Sequence, residues 1–317
     1  MMKRNHYSHH GKRVRRLKRL FFILLGVFLV VVLAIVGMGA KIYRDAKFTA
    51  EQTYESVERK KDSTDQQEFI AKKDPFTILL LGVDTGNLGR VEKGRSDTMM
   101  VAAVNPKKKQ SLLVSLPRDT YAEIIGHSTK DKINHAYAFG GASMAMDTVE
   151  ELLDVPIMYY MTINMQGIQN LVDAVGGIEV TNSFEFTYDG KTFPRGHQEL
   201  TGETALKYSR MRYDDPNGDY GRQQRQQELL KGVAKKALSI KGLTRSQAIL
   251  NTLGANVKTD LTFDEMKRLM QDYQGAFNKI ESEQLKGEGF TQEGISYQRV
   301  SEEEVTRVHK KILTMMN

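Results

Sequence analysis

The longest apolar run in the chain is Leu20 to Ala40, LFFILLGVFLVVVLAIVGMGA, 21 residues without a charge. About 20 such residues cross a bilayer core as a helix. An apolar surface on every side argues against a buried core helix. Lys41 closes the run, and the arm before it, residues 1–19, holds eight Lys and Arg and no acid. By the positive-inside rule the arm is cytoplasmic and everything after the span lies outside. A cleaved signal peptide is the competing reading, but its apolar stretch is only about 7–15 residues long. The expected organisation is a basic cytoplasmic arm (1–19), a single transmembrane helix (20–40), a polar stalk (41–74) and an extracellular body (75–317).

Within the body the pattern changes to short apolar runs alternating with helical spacing. Phe76 to Val83 (FTILLLGV) is continuously apolar, as a strand buried on both faces is. Thr98–Val104 and Ser111–Leu116 are further strands, joined by a turn at Pro106–Lys109. Gly140–Leu153 predicts a helix, Ile157–Ile163 a strand and Gln166–Val175 a helix capped by Gly176-Gly177. Ile178–Val180 resumes a strand, and Thr201-x-x-Thr204 opens another helix. Helices are expected over Arg222–Leu238 and near 244–256 and 262–278. A strand near Ser296–Val300 and a helix behind a Ser301-x-x-Glu304 capping box end the chain. This alternation predicts one layered α/β body around a single central sheet.

Charge refines the picture. The net charge is +7, but without the arm the rest holds 38 basic and 39 acidic residues, a net of −1. The body therefore lacks the basic face that nucleic-acid binding needs. There is no cysteine, which excludes disulfides, thiolate metal sites and a Cys nucleophile.

The candidate chemistry centres on Tyr208 to Gln227, YSRMRYDDPNGDYGRQQRQQ, with Arg210, Arg212, Arg222 and Arg225. The guanidinium fork suits phosphate oxygens. Arg210 and Arg212 are two apart, so an extended backbone turns both the same way. Arg222, Arg225 and Gln226 have the spacing of one helix face. Asp84 ends a buried strand and Asp97 begins the next, and carboxylates at such strand ends face the ligand crevice of α/β sheets. Two carboxylates suit Mg²⁺. Arg95 shares a strand face with Asp97. Arg118-Asp119 again follows a buried strand, and Lys132-Ile-Asn134-His-Ala-Tyr137 adds polar groups nearby. Gly89-Arg-Val-Glu-Lys-Gly94-Arg95-Ser96 imitates a phosphate-binding P-loop. It has Arg in place of Lys and a strand, not a helix, after it, so it is rejected.

Taken together, ILLLGVD (78–84), GRSDTMM (94–100), SLPRDT (115–120), KINHAY (132–137), NLVDAVGGIEV (170–180), LTGETALKYSRMR (200–212) and GDYGRQQRQQ (218–227) resemble the LytR–CpsA–Psr family of bacterial envelope proteins. The resemblance implies a three-layer α-β-α sandwich with a central mixed sheet and a long apolar pocket for a prenyl chain. It implies a membrane-anchored phosphotransferase that moves a glycopolymer, such as wall teichoic acid, from undecaprenyl-pyrophosphate to the C6 hydroxyl of N-acetylmuramic acid in peptidoglycan. The family's metal positions map onto Asp84 and Asp97, for Mg²⁺ or Mn²⁺. Its pyrophosphate arginines map onto Arg118, Arg210, Arg212 and Arg222, with Gln226, Lys132 and Asp219 at matching polar positions. Arg95 joins this substrate set, and Asp97 with Arg118, Arg210 and Arg212 makes the expected catalytic group. The general base stays open; Asp97 qualifies only where the metal leaves it free. A non-catalytic carrier or sensor, and a pyrophosphatase, remain the rival readings.

Overall fold

The computed structural model describes residues 37–59, 70, 72–84, 94–238 and 245–317. The chain divides into two compact units, Met1–Lys47 and Phe48–Asn317. In the first, residues 37–47 are helical. No helix among the described residues is long and apolar enough to cross a membrane. The span expected at 20–40 lies outside the described residues except for 37–40.

The second unit is built on a six-stranded mixed sheet. Its strands are β1 (Phe76–Val83), β2 (Ser96–Asn105), β3 (Gln110–Leu116), β6 (Tyr159–Asn164), β11 (Val257–Thr259) and β12 (Ile280–Gln284), in the order β11-β6-β1-β2-β3-β12. Between them come the hairpin β4 (Tyr121–Ile124) and β5 (Thr129–Lys132), helix α1 (His135–Leu153) and helix α2 (Met165–Ala174). Then follow β7 (Ile178–Asn182), β8 (Phe186–Tyr188), β9 (Lys191–Phe193) and β10 (Gly196–Leu200). Helices α3 (Gly202–Arg210), α4 (Asp219–Ala237) and α5 (Ser246–Asn256) precede β11. Helix α6 (Phe263–Asp272) precedes β12, and a hairpin of β13 (Glu288–Gln292) and β14 (Ile295–Arg299) leads to α7 (Glu302–Met316).

β1 explains its own sequence. Leu79, Leu81 and Val83 pack with Met146, Val149 and Leu153 of α1 and with Val308 and Ile312 of α7. Phe76 and Ile78 face the other way, against Tyr159, Leu261 and Tyr273. Both faces of the strand are covered, so neither set of alternate positions is polar.

Several expectations shift by a few residues. α1 starts at His135, not Gly140, and breaks at Gly141, whose φ of 70° suits a residue without a side chain. Thr201 and Thr204 form the full capping box at the start of α3. At Ser301 only half the box forms: its hydroxyl accepts from Glu304 N, while the Glu304 carboxylate accepts from Lys286 N and Arg307. The segment expected as a stalk is in part body. Tyr54 bridges to Thr259, and the Arg59 guanidinium donates to Asp147 (2.7 Å), Glu150 (2.9 Å) and Ile157 O (2.6 Å).

Candidate active site

Strand direction decides which residues meet. β1 runs parallel to β6 and antiparallel to β2, which is antiparallel to β3, which is parallel to β12. The C-terminal ends of β1, β3, β6 and β12 therefore share one sheet edge with the start of β2. Asp84 follows β1, Asp97 is the second residue of β2, and Arg118 follows β3, so all three belong to that edge.

Helix α4 is fixed over the same edge. The buried Gln227 amide donates to Ser115 Oγ and Glu283 O, both at 2.8 Å, which ties the helix to β3 and β12. The Gln284 amide donates to Tyr220 O at 2.8 Å. These bonds set the rotation of α4, and Asp219 and Arg222 in its first turns reach the group around Arg118.

That group is a chain of alternating charges. Arg118 NH1 donates to Asp97 Oδ1 at 2.5 Å, and Arg118 Nε lies 3.8 Å from Asp119 Oδ2. Lys132 Nζ donates to Asp119 Oδ1 at 2.7 Å and sits 5.7 Å from the centre of the Tyr297 ring. Asp219 Oδ1 lies 2.6 Å from Arg222 NH2 and 3.4 Å from Arg212 Nε, while Oδ2 accepts from Gln223. The cations outnumber the carboxylates by one.

The group has unused donors. Among the described residues, Arg118 Nε and Arg222 Nε are buried without a hydrogen bond, and the angles of the close Asp219–Arg222 contact leave Asp219 Oδ1 without one too. Burial depresses the Arg222 pKa; Arg118 and Arg212 depress it further, against the opposing pull of Asp219 and Asp97. At Arg118 burial works the same way, but Asp97, Asp119 and Asp219 outweigh it and the pKa rises. A buried charged donor left unpaired costs more than the ~1–3 kcal/mol of a neutral one. An anionic oxygen reaching either Nε would supply the missing partner.

The remaining expected residues fall in different places. Arg95 precedes β2 and is exposed, its carbonyl accepting from Asp84 N at 3.2 Å. Asp97 thus takes its partner from Arg118 and not from Arg95. Among the described residues no three His, Cys, Asp or Glu gather as a metal group. Gln226 is half-buried, one turn past Arg222. Arg210 is the last residue of α3, not part of an extended segment, and is exposed. It lines a cavity of about 480 Å³ with Tyr188, Asp189, Glu203, Leu206 and Lys207. A second cavity of about 460 Å³ lies between Tyr121, Glu151, Val300 and Thr306. Neither is the long apolar pocket that the resemblance implies.

The expected single face of Arg222, Arg225 and Gln226 does not exist. Arg225 turns inward: Nε donates to Tyr208 O at 3.0 Å, NH1 pairs with the buried Asp215, and NH2 donates to Met211 O. It braces the loop 211–218 from below. Sequence reasoning also left Asp119 out of the substrate set, although it joins Arg118 to Lys132. Its partner Lys132 ends β5, in a hairpin that the pattern of TYAEIIGHSTKDK does not announce.

Comparison with known proteins agrees with this architecture. The LytR_cpsA_psr family model matches residues 40–313. The chain is 54% identical over 300 residues to the polyisoprenyl-teichoic acid–peptidoglycan teichoic acid transferase TagU of Enterococcus faecalis, covering 95% of this chain and 98% of that protein. The crystal structure of Bacillus subtilis TagU superposes with a TM-score of 0.62 at 40% identity, over 77% of this chain and 98% of that one. A structure of TagT bound to LI-WTA gives a TM-score of 0.64 at 29% identity, over 82% and 94%. The chain belongs to the LytR–CpsA–Psr family.

Proposed function

We propose that this protein is a glycopolymer–peptidoglycan ligase: it transfers a phosphate-linked glycopolymer of the teichoic acid kind from a polyprenyl-pyrophosphate carrier to a muramic acid hydroxyl. The observation that carries the reading is the pair of guanidinium Nε donors of Arg118 and Arg222, buried and without a hydrogen bond among the described residues. They lie in a group with a surplus positive charge, in a chain whose close relative is named for this transfer.

In the reaction the C6 hydroxyl oxygen of the acceptor forms a bond to the phosphorus that carries the glycan. The bond from that phosphorus to the bridging oxygen breaks, and the polyprenyl monophosphate leaves with the electron pair. The hydroxyl proton passes to a nearby base or to water. Charge accumulates on the bridging and outer oxygens, where Arg118, Arg212 and Arg222 act. Asp97, Asp119 and Asp219 hold these cations in place before the substrate arrives, so little reorganisation is needed in the transition state. Asp97 Oδ1 is engaged by Arg118, which leaves Oδ2 for another role.

The donor set fits a magnesium or manganese ion. Asp84 and Asp97 would supply hard oxygen ligands from neighbouring strand ends, where Val83 pairs with Ser96, and Mg²⁺ commonly takes one or two protein carboxylates with phosphates and water. Such an ion would neutralise charge on the pyrophosphate. In the same reading the run at 20–40 anchors the chain in the cytoplasmic membrane, with the arm inside and the body outside. Incubating the full-length protein with lipid-pyrophosphate-linked glycan, Mg²⁺ and peptidoglycan oligomers tests it: mass spectrometry detects the phosphodiester-linked product. Free glycan phosphate would indicate a hydrolase, and binding without turnover a carrier.

A further inference from the structure

The 480 Å³ cavity beside Arg210 lies outside the Arg118 group. One wall is the tip of the β8–β9 hairpin. Asp189 and Gly190 turn it with φ of 48° and 73°, the paired positive angles of a tight hairpin. Thr187 and Thr192 hydroxyls hydrogen-bond across the hairpin at 3.0 Å. Lys207 Nζ ties the tip to α3 by donating to Asp189 O at 3.2 Å. The other wall is the face of α3 carrying Glu203, Leu206, Lys207 and Arg210. The cavity is thus preformed, and its volume is within the range of small-ligand sites, about 300–1,000 Å³.

Its chemistry is mixed in a specific way. Lys207 is already neutralised, 2.9 Å from Glu203 Oε1 and 3.5 Å from Asp189 Oδ2. Arg210 has no ion pair among the described residues. Glu203 and Asp189 keep 68% and 70% of their side chains exposed, so their oxygens remain open to a ligand. A bare anion has no use for Tyr188 and Leu206 and is repelled by the two acids. A purely apolar chain meets four charged groups. A pyranose ring meets all of these needs, since its C–H face suits Tyr188 and Leu206 and its hydroxyls donate to carboxylates. Arg210 then takes an adjoining phosphate or ring oxygen.

The position agrees. Met211 is buried with extended angles (φ −57°, ψ 136°), so Arg210 and Arg212 flank it on the outside. Their Cα atoms are at most about 7 Å apart, and Arg212 pairs with Asp219 in the cationic group. We propose that this cavity is a sugar subsite that seats the first pyranose ring next to the transferred phosphate. It rests on the function proposed above. The ring belongs to the donor glycan or to the acceptor strand, which share this chemistry.

Binding separates the outcomes without requiring turnover. The full-length protein in detergent is titrated with polyprenyl pyrophosphate, with the same lipid bearing an N-acetylhexosamine disaccharide, and with a soluble peptidoglycan tetrasaccharide. Tyr188→Ala and the surface variant Glu203→Gln are expected to weaken one of the two sugar ligands about tenfold, with sugar-free lipid unchanged; Tyr188→Phe retains affinity. Loss confined to the disaccharide lipid assigns the donor ring, and loss confined to the tetrasaccharide the acceptor ring. Unchanged affinity for both sugar ligands, or equal loss for the sugar-free lipid, overturns the subsite. If wild-type protein binds these ligands but forms no product, the ligase reading fails while the subsite stands.

Discussion

Arg118 NH1 donates to Asp97 Oδ1 at 2.5 Å, yet the same guanidinium keeps a buried Nε with no hydrogen bond among the described residues. One edge is held by Asp97, and the other faces Asp119 at 3.8 Å with its hydrogen-bonding capacity unfilled. Replacing Arg118 by Ala is expected to lower glycan transfer about 10²–10³-fold, as for other lost transition-state donors. Arg118→Lys should recover only part of this, because an ammonium lacks the two-edged fork. Initial rates of product formation check both. Equal rates in Arg118→Lys and wild type would contradict the fork.

Arg225 should behave in the opposite way. It and Asp215 keep only 6% and 1% of their side chains exposed, and Arg225 binds two carbonyls besides. Arg225→Ala leaves the Asp215 charge buried and is expected to destabilise the fold by about 3–5 kcal/mol. Urea unfolding followed by circular dichroism measures it. The corresponding loss for Arg118→Ala should be much smaller, since that side chain sits at the half-open sheet edge.

Arg59 joins the upstream segment to α1. Its side chain is 5% exposed and bonds to Asp147, Glu150 and Ile157 O. Arg59→Ala is expected to cost about 1–3 kcal/mol and to speed proteolysis within residues 48–59. Cleavage there at the wild-type rate would show that the segment is held by other contacts.

Burial raises the Asp260 carboxyl from 3.8 to about 7, against the hydrogen bond it accepts from Tyr160 N. The folded chain therefore holds a proton that the unfolded chain releases from about pH 4 upwards. The group's contribution to stability is complete below pH 4 and is lost as pH rises through 7. Asp260→Asn should reduce the fall in melting temperature between pH 4 and pH 8. The same fall in variant and wild type would assign it to other groups.

If Asp84 and Asp97 hold a divalent ion, chelation should abolish transfer and Mg²⁺ or Mn²⁺ restore it. Asp84→Asn should then need a higher Mg²⁺ concentration for half-maximal rate. Full activity in excess chelator would exclude this use of the two carboxylates.

Much of this was legible in the chain. β1, β2 and β3 carry continuous apolar runs because the sheet is covered on both faces. β12, IESEQ, was missed because it is an edge strand whose outward positions are polar, and its partner β3 lies far upstream. The site residues Asp97, Arg118, Lys132, Arg212, Asp219 and Arg222 do meet; the strand ends follow from pattern, whereas Asp219 came only from the family resemblance. The direction of Arg225 could not be read, because the rotation of α4 is set by Gln227 bonding to Ser115, 112 residues away. The identity of the sheet-edge chemistry was legible; the braces behind it depend on distant contacts.

In the proposed reaction the Arg118 group drives transfer at a pyrophosphate. The most direct test counts, in one reaction with the full-length protein, the polyprenyl monophosphate released and the glycan phosphodiester formed on peptidoglycan. Equal amounts are expected in wild type, with a parallel fall of both by at least about 10²-fold in Arg118→Ala and a far smaller loss of melting temperature than in Arg225→Ala. Lipid phosphate released without the phosphodiester, or an Arg118→Ala rate near that of wild type, would contradict it.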